Sequence, residues 1–446
     1  MDDGLQSMES DAAIAWLRQV SPYFRNHRGR VFVVYLDSDA VLDPGFGERM
    51  RDLVLLAAVG IRLVIVFSAT DQVNARLEER SIQLKRVGDA QVIDADCMRE
   101  IRDVVGGQRL ALESAFSFSS RGGPVASSPS RIVSGNFVRA RSAGVIDGVD
   151  VGFFGVLRSI DKAAIGARLE RDEVVLLAPI GFSPTGELFS LKPLDLAVEV
   201  ATQIDAAKLV MISRTAGITG LDGTMLRQLT TDDARHLHEA GTNDQLEKTL
   251  LEHAIQACEK GVERVHVIGS QRDGAILREL FTRDGVGTML STTPFDLIRA
   301  AGTDDIAAIF DLVAPLQEQG VLLERSREQL DEEIDRFFVI ERERTVVACG
   351  ALHPYANHRT AEIACVAVHH DYRGSSFGDA LLDSLERRAT EAGLDSVFVL
   401  TTQASQWFNE RGYQAGTIAQ LPIEKRELYN YQRNSAVLVK TLREPA

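Results

Sequence analysis

Residues Glu362–Leu382 read EIACVAVHHDYRGSSFGDALL, and this stretch decides the architecture of the C-terminal part of the chain. A β-branched apolar run passes through an Arg/Gly/Ser turn and straight into an amphipathic helix from about Gly378. A strand–turn–helix of this kind leaves the first backbone N–H groups of the helix without intrahelical partners. The helix dipole adds a positive field at the same point. A pyrophosphate fits such a place. Taken alone, glycines between a strand and a helix serve tightness equally well, so the surrounding sequence has to decide.

Outward from this stretch, Thr303–Val313 and Ser326–Ile334 read as a helix pair, followed by strands Phe337–Glu341, Thr345–Leu352 and Thr360–Val368. Helix Gly378–Ala392, strand Ser396–Leu400, a short helix Gln403–Arg411 and strand Ala436–Lys440 complete an α+β order. Upstream the pattern changes. Val31–Leu36, Leu63–Phe67, Val174–Ala178, Lys208–Ser213 and Arg264–Ile268 are short apolar strands. They alternate with helical spacing over Phe46–Val59, Asp71–Glu79, Asp161–Glu170, Leu194–Ile204 and Leu246–Lys260, with Gly60 and Gly261 as stops. This is an α/β domain with an internally parallel sheet. The boundary falls near Ser291–Pro294, giving domains 1–290 and 291–446. Arg121–Ser130, RGGPVASSPS, is a surface loop inside the first domain.

The 446 residues carry 49 Lys plus Arg against 64 Asp plus Glu, a formal charge of −15. Such a balance gives no general pull toward phosphate backbones or anionic membranes, so neither nucleic acid nor a membrane is expected as a partner. No uninterrupted apolar run reaches the length of a membrane span. Cys97, Cys258, Cys349 and Cys365 include no closely spaced pair of the kind that zinc or redox motifs use. They are expected as reduced thiols in a cytoplasmic protein, and no metal is expected.

The central run also resembles the acetyl-CoA-binding motif of the GNAT acetyltransferases, R-x-x-G-x-G/A after a strand, with Arg373, Ser376 and Gly378 at the motif positions. Serine stands where the pattern prefers its first glycine; a side chain turned outward removes no N–H donor. RSREQL (Arg325–Leu330), EIACVAV (Glu362–Val368), FVLTT (Phe398–Thr402), WFNERGY (Trp407–Tyr413) and LYNYQRNS (Leu428–Ser435) together resemble the bacterial N-acetylglutamate synthase family. VSGNF (Val133–Phe137) and HVIGSQRDGAILRELFTRDGVGT (His266–Thr288) resemble the same family's other domain. The resemblance runs from about Ser21 to Leu442. It implies an amino-acid-kinase-like αβα sandwich followed by a GNAT domain, moving acetyl from acetyl-CoA to the α-amine of L-glutamate.

Acyl transfer of this kind needs a base for the ammonium, donors for the oxyanion and a proton or positive field for the leaving thiolate. The resemblance implies Glu362 as base through a water and Thr401 beside the leaving sulfur; read from sequence alone, Glu362 is an exposed edge-strand glutamate and Thr401 a strand-end hydroxyl that caps the following helix. Tyr413 is a further possible proton donor, or a core partner of Trp407 and Phe408. Backbone around Cys365, Val366, Ala367 and Val368 would hold the pantetheine arm and the thioester oxygen, and Arg373, Gly374, Ser375, Ser376, Phe377 and Gly378 the pyrophosphate. Arg325 and Arg433, with Ser435, match the family's glutamate-binding positions, and guanidinium forks suit carboxylates. Arg327 lies close enough to Arg325 to compete for the assignment.

In the kinase-like domain the glycines expected after the first strands are replaced by Leu36–Ala40, LDSDA, and Phe67–Asp71, FSATD. Asp37 and Asp39 would repel a triphosphate, which argues against phosphoryl transfer. The resemblance instead implies an allosteric site for L-arginine as inhibitor, at Tyr23, Lys208, His266, Glu279, Thr282 and Gly285. It also implies a ring-like homo-oligomer, a hexamer by preference, built through this domain and an N-terminal helix that Asp11–Val20 would supply. An amino-acid kinase, a catalytically silent arginine sensor and a GNAT acting on another amine or on protein lysines are the competing readings. Cys365 sits in a core strand without a sequence-evident histidine partner, so acetyl transfer is expected to be direct. Cys365→Ala should retain substantial turnover in a thiol-release assay; complete loss, with an acetyl-thioester trapped on the parent protein, would refute direct transfer.

Overall fold

Alternation along the central strands explains the layering of the first unit. Its sheet contains β1 (Val31–Leu36), β2 (Arg62–Phe67), β3 (Ile132–Ser134), β4 (Val174–Leu177), β5 (Lys208–Ser213), β6 (Gln228–Thr230), β7 (Arg264–Gly269) and β8 (Thr288–Ser291). The spatial order is β6-β8-β7-β5-β1-β2-β4-β3. Every neighbouring pair is parallel except β7–β8. Val33, Tyr35, Val64 and Val66 point to one face and join one core, whereas Phe32, Val34, Leu36, Leu63, Ile65 and Phe67 join a second core on the other face. Both faces are therefore covered, as parallel strands require.

Helices α1 (Phe46–Ala58), α2 (Pro193–Gln203), α3 (Gln245–Glu259) and α4 (Ala275–Phe281) supply much of that cover. Leu196, Val200, Leu250 and Ala254 of α2 and α3 fill the first core; Met50, Leu53, Ile276 and Leu280 of α1 and α4 fill the second. Gly60 and Gly261 follow their helices with φ of 91° and 102°, a left-handed stop that glycine adopts without a Cβ penalty. The strands and helices expected between Val31 and Lys260 all form, with ends shifted by a residue or so. The edge strands β3 and β6, and β8 between β6 and β7, were not anticipated. Neither were the long helix Ala95–Arg121 and a four-stranded sheet that includes Val138–Ser142 and Gly155–Ile160.

This computed structural model describes residues 20–21, 23–121, 131–241, 244–282, 285–292, 297–342, 345–372, 377–427, 429–430 and 433–442. The helix expected over Asp11–Val20, except Val20, and the loop Arg121–Ser130, except the backbone of Arg121, lie outside them. The chain divides into Met1–Pro294 and Phe295–Ala446.

The second unit is one seven-stranded sheet, β9 (Leu297–Ala300), β10 (Phe337–Arg342), β11 (Thr345–Tyr355), β12 (Thr360–Val368), β13 (Ser396–Thr401), β14 (Gln414–Ala415) and β15 (Ala436–Thr441), ordered β9-β10-β11-β12-β13-β15-β14. One face is covered by α5 (Ile306–Glu318) and α6 (Arg327–Glu333), through Ile309, Val313 and Leu330. The other carries α7 (Phe377–Glu391), through Leu381, Leu382, Leu385 and Ala389. Short helices α8 (Ser405–Asn409) and α9 (Ile423–Glu427) lie in the connections around β13 and β15. All pairs in this sheet are antiparallel except β12–β13. That parallel pairing covers only Thr360–Glu362 against Ser396–Phe398, after which the two strands run on unpaired with each other.

Candidate active site

Two irregularities of β12 create the site. The first is its parting from β13 after Glu362. The second is a bulge: the register with β11 shifts between Cys349 and Ala351, so Cys365 and Val366 fall opposite Gly350 alone. Cys365 takes φ 53°, the left-handed region that a non-glycine residue enters only when its surroundings impose it. A bulge takes a residue out of the ladder and re-aims its backbone, here beside the opening between the strands.

Glu362 stands at the fork and is 6% exposed. Its Oε2 accepts from Nζ of Lys425 on α9 at 2.7 Å, so the carboxylate is buried with a cation. Across the ladder from Glu362 is His353, whose Nδ1 lies 3.1 Å from Nη1 of Arg336. Tyr355 stands two residues further along β11; burial first, and then the charge of Glu362, push its phenol up to about 12. Lys425, His353 and Arg336 were not singled out from sequence. The antiparallel register would have found His353, because pairing β11 with β12 sets it directly opposite Glu362.

Arg325 precedes α6 and reaches β12. Its Nη1 donates to Sγ of Cys365 at 2.7 Å, and its Nε lies 3.5 Å from Glu333. Arg327 instead lies over the ring of Phe310, 5.0 Å from its centroid, which separates the two arginines that sequence left in competition. Burial first pushes the Cys365 thiol up to about 11, with Arg325 pulling the other way, so the thiol stays protonated near neutrality. On the other arm of the fork, Thr401 Oγ1 accepts from the N–H of Ala404 at 2.9 Å. The hydroxyl is thus held at the strand end as an acceptor while its own proton can still be donated. Tyr413 is 2% exposed and packs against Phe408 at 5.2 Å, with Glu386 facing its hydroxyl. Burial and that carboxylate raise its pKa well above the phenol range, so it is a core residue and not a ready acid.

Helix α7 begins at Phe377, beside the end of β12. Arg373, Gly374, Ser375 and Ser376 lie outside the described residues. Gly378 has a packing reason to be glycine: a Cβ there would approach Cζ2 of Trp407 to 3.1 Å. Val366 and Val368 are half-buried and pack against the core under α7 with Phe377, while Cys365 and Ala367 are buried in the core on the other face. Arg433 turns its guanidinium to the carbonyls of Val321 and Gly320, at the end of α5. Ser435 is half-buried, and its carbonyl accepts from the hydroxyl of Tyr429 at 2.7 Å.

The fold agrees with comparisons to known proteins. The Amino acid kinase family matches residues 35–269, and the Acetyltransferase (GNAT) family matches residues 306–413. An amino-acid acetyltransferase of Pseudomonas aeruginosa is 42% identical over 430 residues, 96% of this chain and 99% of the relative. The chain belongs to the amino-acid acetyltransferase family. Its counterpart from Pseudomonas syringae pv. syringae is 41% identical over the same shares. The crystal structure of N-acetylglutamate synthase from Neisseria gonorrhoeae complexed with coenzyme A and L-arginine aligns with TM-score 0.86 at 33% identity, covering 97% of this chain and 99% of that one. A second structure of that synthase, complexed with coenzyme A and N-acetyl-glutamate, aligns with TM-score 0.63 at 34% identity over the same shares. The expected order of a kinase-like α/β domain followed by a GNAT domain is therefore correct, and the family places an N-acetyltransferase activity on this chain.

In the first unit of this acetyltransferase, Lys208, His266 and Glu279 form a buried chain of polar groups. Lys208 Nζ lies 3.4 Å from His266 Nε2, and His266 Nδ1 lies 2.7 Å from Glu279 Oε1. Glu279 Oε2 accepts from the N–H groups of Val286 and Gly287 at 2.7 and 2.8 Å. Gly285, at φ 59°, lets the loop fold over this carboxylate, because a Cβ there would come within 2.5 Å of Oε2. Thr282 closes α4 by donating to the carbonyl of Arg278, and Tyr23 lies 6.3 Å from the ring of His27. Asp37 caps a one-turn helix, and both oxygens of Asp39 are buried without a hydrogen-bond partner among the described residues. Burial raises both carboxyls, and neither carboxylate is disposed to receive a phosphate.

Against burial, which alone would raise it, the bonds from His266, Val286 and Gly287 hold the Glu279 carboxyl down to about 2. A depressed carboxyl contributes stability above its unfolded pKa and loses it as pH falls through the folded value. Between about pH 4.5 and pH 2 the first unit should therefore lose stability that Glu279→Gln does not lose. Thermal melts of both proteins across that window check this, and parallel curves would contradict it.

Proposed function

We propose that the protein transfers acetyl from acetyl-CoA to the α-amine of L-glutamate, yielding N-acetyl-L-glutamate and CoA. The observation that carries this reading is the fork of β12 and β13, with a buried carboxylate at its apex, a bulge on one arm and a hydroxyl on the other. The unpaired edges offer amides to the pantetheine arm, and the start of α7 offers N–H groups to the pyrophosphate. The Neisseria synthase, 33% identical, was crystallised with coenzyme A, which supports acetyl-CoA as the donor. Its complex with coenzyme A and N-acetyl-glutamate supports glutamate as the acceptor.

The steps follow from the chemistry of thioester aminolysis. Glu362, through a water, accepts a proton from the α-ammonium; the freed amine attacks the thioester carbonyl. Backbone N–H groups at the Cys365–Val366 bulge polarise that carbonyl and hold the oxyanion. The C–S bond then breaks as the attacking nitrogen, now cationic, gives up its second proton, and that proton balances the one the departing thiolate gains through the Thr401 hydroxyl. Arg325 orients an acceptor carboxylate, and Arg433 with Ser435 contributes to binding the same acceptor. Arg373–Gly378 receives the pyrophosphate. The high pKa of Cys365 supports direct transfer without an acyl-enzyme.

This reaction is the first step of L-arginine biosynthesis, in the cytoplasm, in a homo-oligomer for which a hexamer is the preferred count. L-Arginine inhibits it through the first unit, at Tyr23, Lys208, His266, Glu279, Thr282 and Gly285. The Neisseria complex with L-arginine supports an arginine site in this family, and the buried carboxylate cluster supports its place. The domains divide as 1–290, regulatory, and 291–446, catalytic. Release of CoA thiol from acetyl-CoA should require L-glutamate and fall on adding L-arginine. Glu362→Gln should lower kcat by about 100-fold or more while acetyl-CoA affinity stays unchanged. A protein that releases no thiol with glutamate, or a variant that matches the parent, would overturn the reading.

A further inference from the structure

His353 carries a donor that the fold leaves unused. Its side chain is on the same face of the sheet as Glu362, because the two residues are direct cross-strand partners of β11 and β12. The residue is 8% exposed. Nδ1 lies 3.1 Å from Nη1 of Arg336. A guanidinium only donates, so Nδ1 accepts and bears no proton. The proton of the neutral imidazole is then on Nε2. That nitrogen is buried and has no hydrogen-bond partner among the described residues.

A buried N–H without an acceptor is costly, and a fold retains one where something else supplies the acceptor. The surroundings say what kind. The charged groups acting on the imidazole are Glu333, Arg336, Arg325 and Lys425, three cations and one anion. The anion already faces Arg325 at 3.5 Å, and Lys425 is held by Glu362 at 2.7 Å. Arg325 and Lys425 thus each face a carboxylate, whereas Arg336 faces the imidazole itself. A buried N–H with no partner among the described residues, set amid Arg325, Arg336 and Lys425, suits an incoming carboxylate oxygen. Burial first, then Arg336, Arg325 and Lys425 acting against Glu333, bring the imidazole down to about 4. The ring is therefore a neutral donor throughout the neutral pH range.

We propose that His353, held in its Nε2–H form by Arg336, donates that hydrogen bond to a carboxylate of the acceptor amino acid and so helps select a dicarboxylic substrate. The inference rests on the reading that glutamate is the acceptor. His353 touches the substrate's carboxylate, whereas Arg336 is a positioning residue that sets which ring nitrogen carries the proton. The signature is a weakened KM for the acceptor with kcat largely kept, because a carboxylate contact is made in the ground state and the transition state alike.

The test compares the parent protein, His353→Leu and His353→Gln by CoA thiol release, varying L-glutamate and acetyl-CoA separately. Leucine removes the donor, while glutamine presents an amide N–H near the place of Nε2–H. His353→Leu should raise the KM for glutamate about tenfold or more and leave the KM for acetyl-CoA within about twofold. His353→Gln should recover most of the loss, which a purely structural role would not predict. An unchanged glutamate KM in His353→Leu overturns the proposal, as does a fall in kcat at constant KM, which would assign Nε2–H to a water on the proton path. Equal damage in both variants, with the acetyl-CoA KM also raised, assigns His353 to packing and overturns it too. A parent protein inert toward glutamate overturns the functional reading itself, and this inference falls with it.

Discussion

Two neighbouring parallel strands that pair over three residues and then part are the constraint on which the second unit depends. Within a sheet every backbone N–H and C=O is expected to find a partner, so strands that separate leave a strip of amides to be satisfied by something outside the fold. The separation is maintained from both sides. Helix α7 packs Leu381, Leu382 and Leu385 on one face of the sheet, and α5 and α6 pack Ile309, Val313 and Leu330 on the other. The bulge at Cys365 bends β12 further and is itself fixed by Arg325 on the sulfur and by Cys349, whose Sγ lies 3.7 Å from the Cys365 carbonyl. A cleft edged by backbone, with few side chains to move, suits a long flexible ligand whose own amides can complete the sheet.

The charged groups around this cleft are arranged in pairs. Glu362 is paired with Lys425, Arg325 faces Glu333, and Arg336 is spent on His353. The Lys425 ammonium at 2.7 Å offsets the charge of the buried Glu362 carboxylate. The first unit uses the same device differently. Glu279 is satisfied by His266 and two loop amides, so its charge holds a loop in place. A ligand reaching that cluster would act on the loop that the carboxylate organises.

The strands and helices of both sheets were legible because their cores obey simple periods: alternate residues of β1 and β2 enter opposite cores, and α2 and α3 carry apolar residues at helical spacing. The edge strands escaped notice because they are short; β3 and β6 have three residues each and lack a period long enough to read. Glu362, Thr401 and Arg325 were singled out through a resemblance, and Glu362 and Thr401 lie on the two neighbouring strands of one fork. Lys425 and His353 were not found, for separate reasons. Lys425 lies in a five-residue helix of mostly exposed residues, where a lysine gives no local signal. His353 stands beside a proline on an otherwise apolar strand, and only the register with β12 gives it meaning. The kinase likeness of the first unit came from the resemblance carried by VSGNF and His266–Thr288, and its lost glycines could be read directly in LDSDA and FSATD.

The central claim is that the open edge of β12 is where the coenzyme lies. Hydrogen–deuterium exchange with and without saturating CoA tests it without any substitution. The amides of Ile363–Val368 that face the fork have no partner in β13, so the account predicts exchange there that slows sharply when CoA binds, together with slowing at the start of α7. Binding of CoA with no change across Ile363–Val368, and protection elsewhere in the chain, would contradict it.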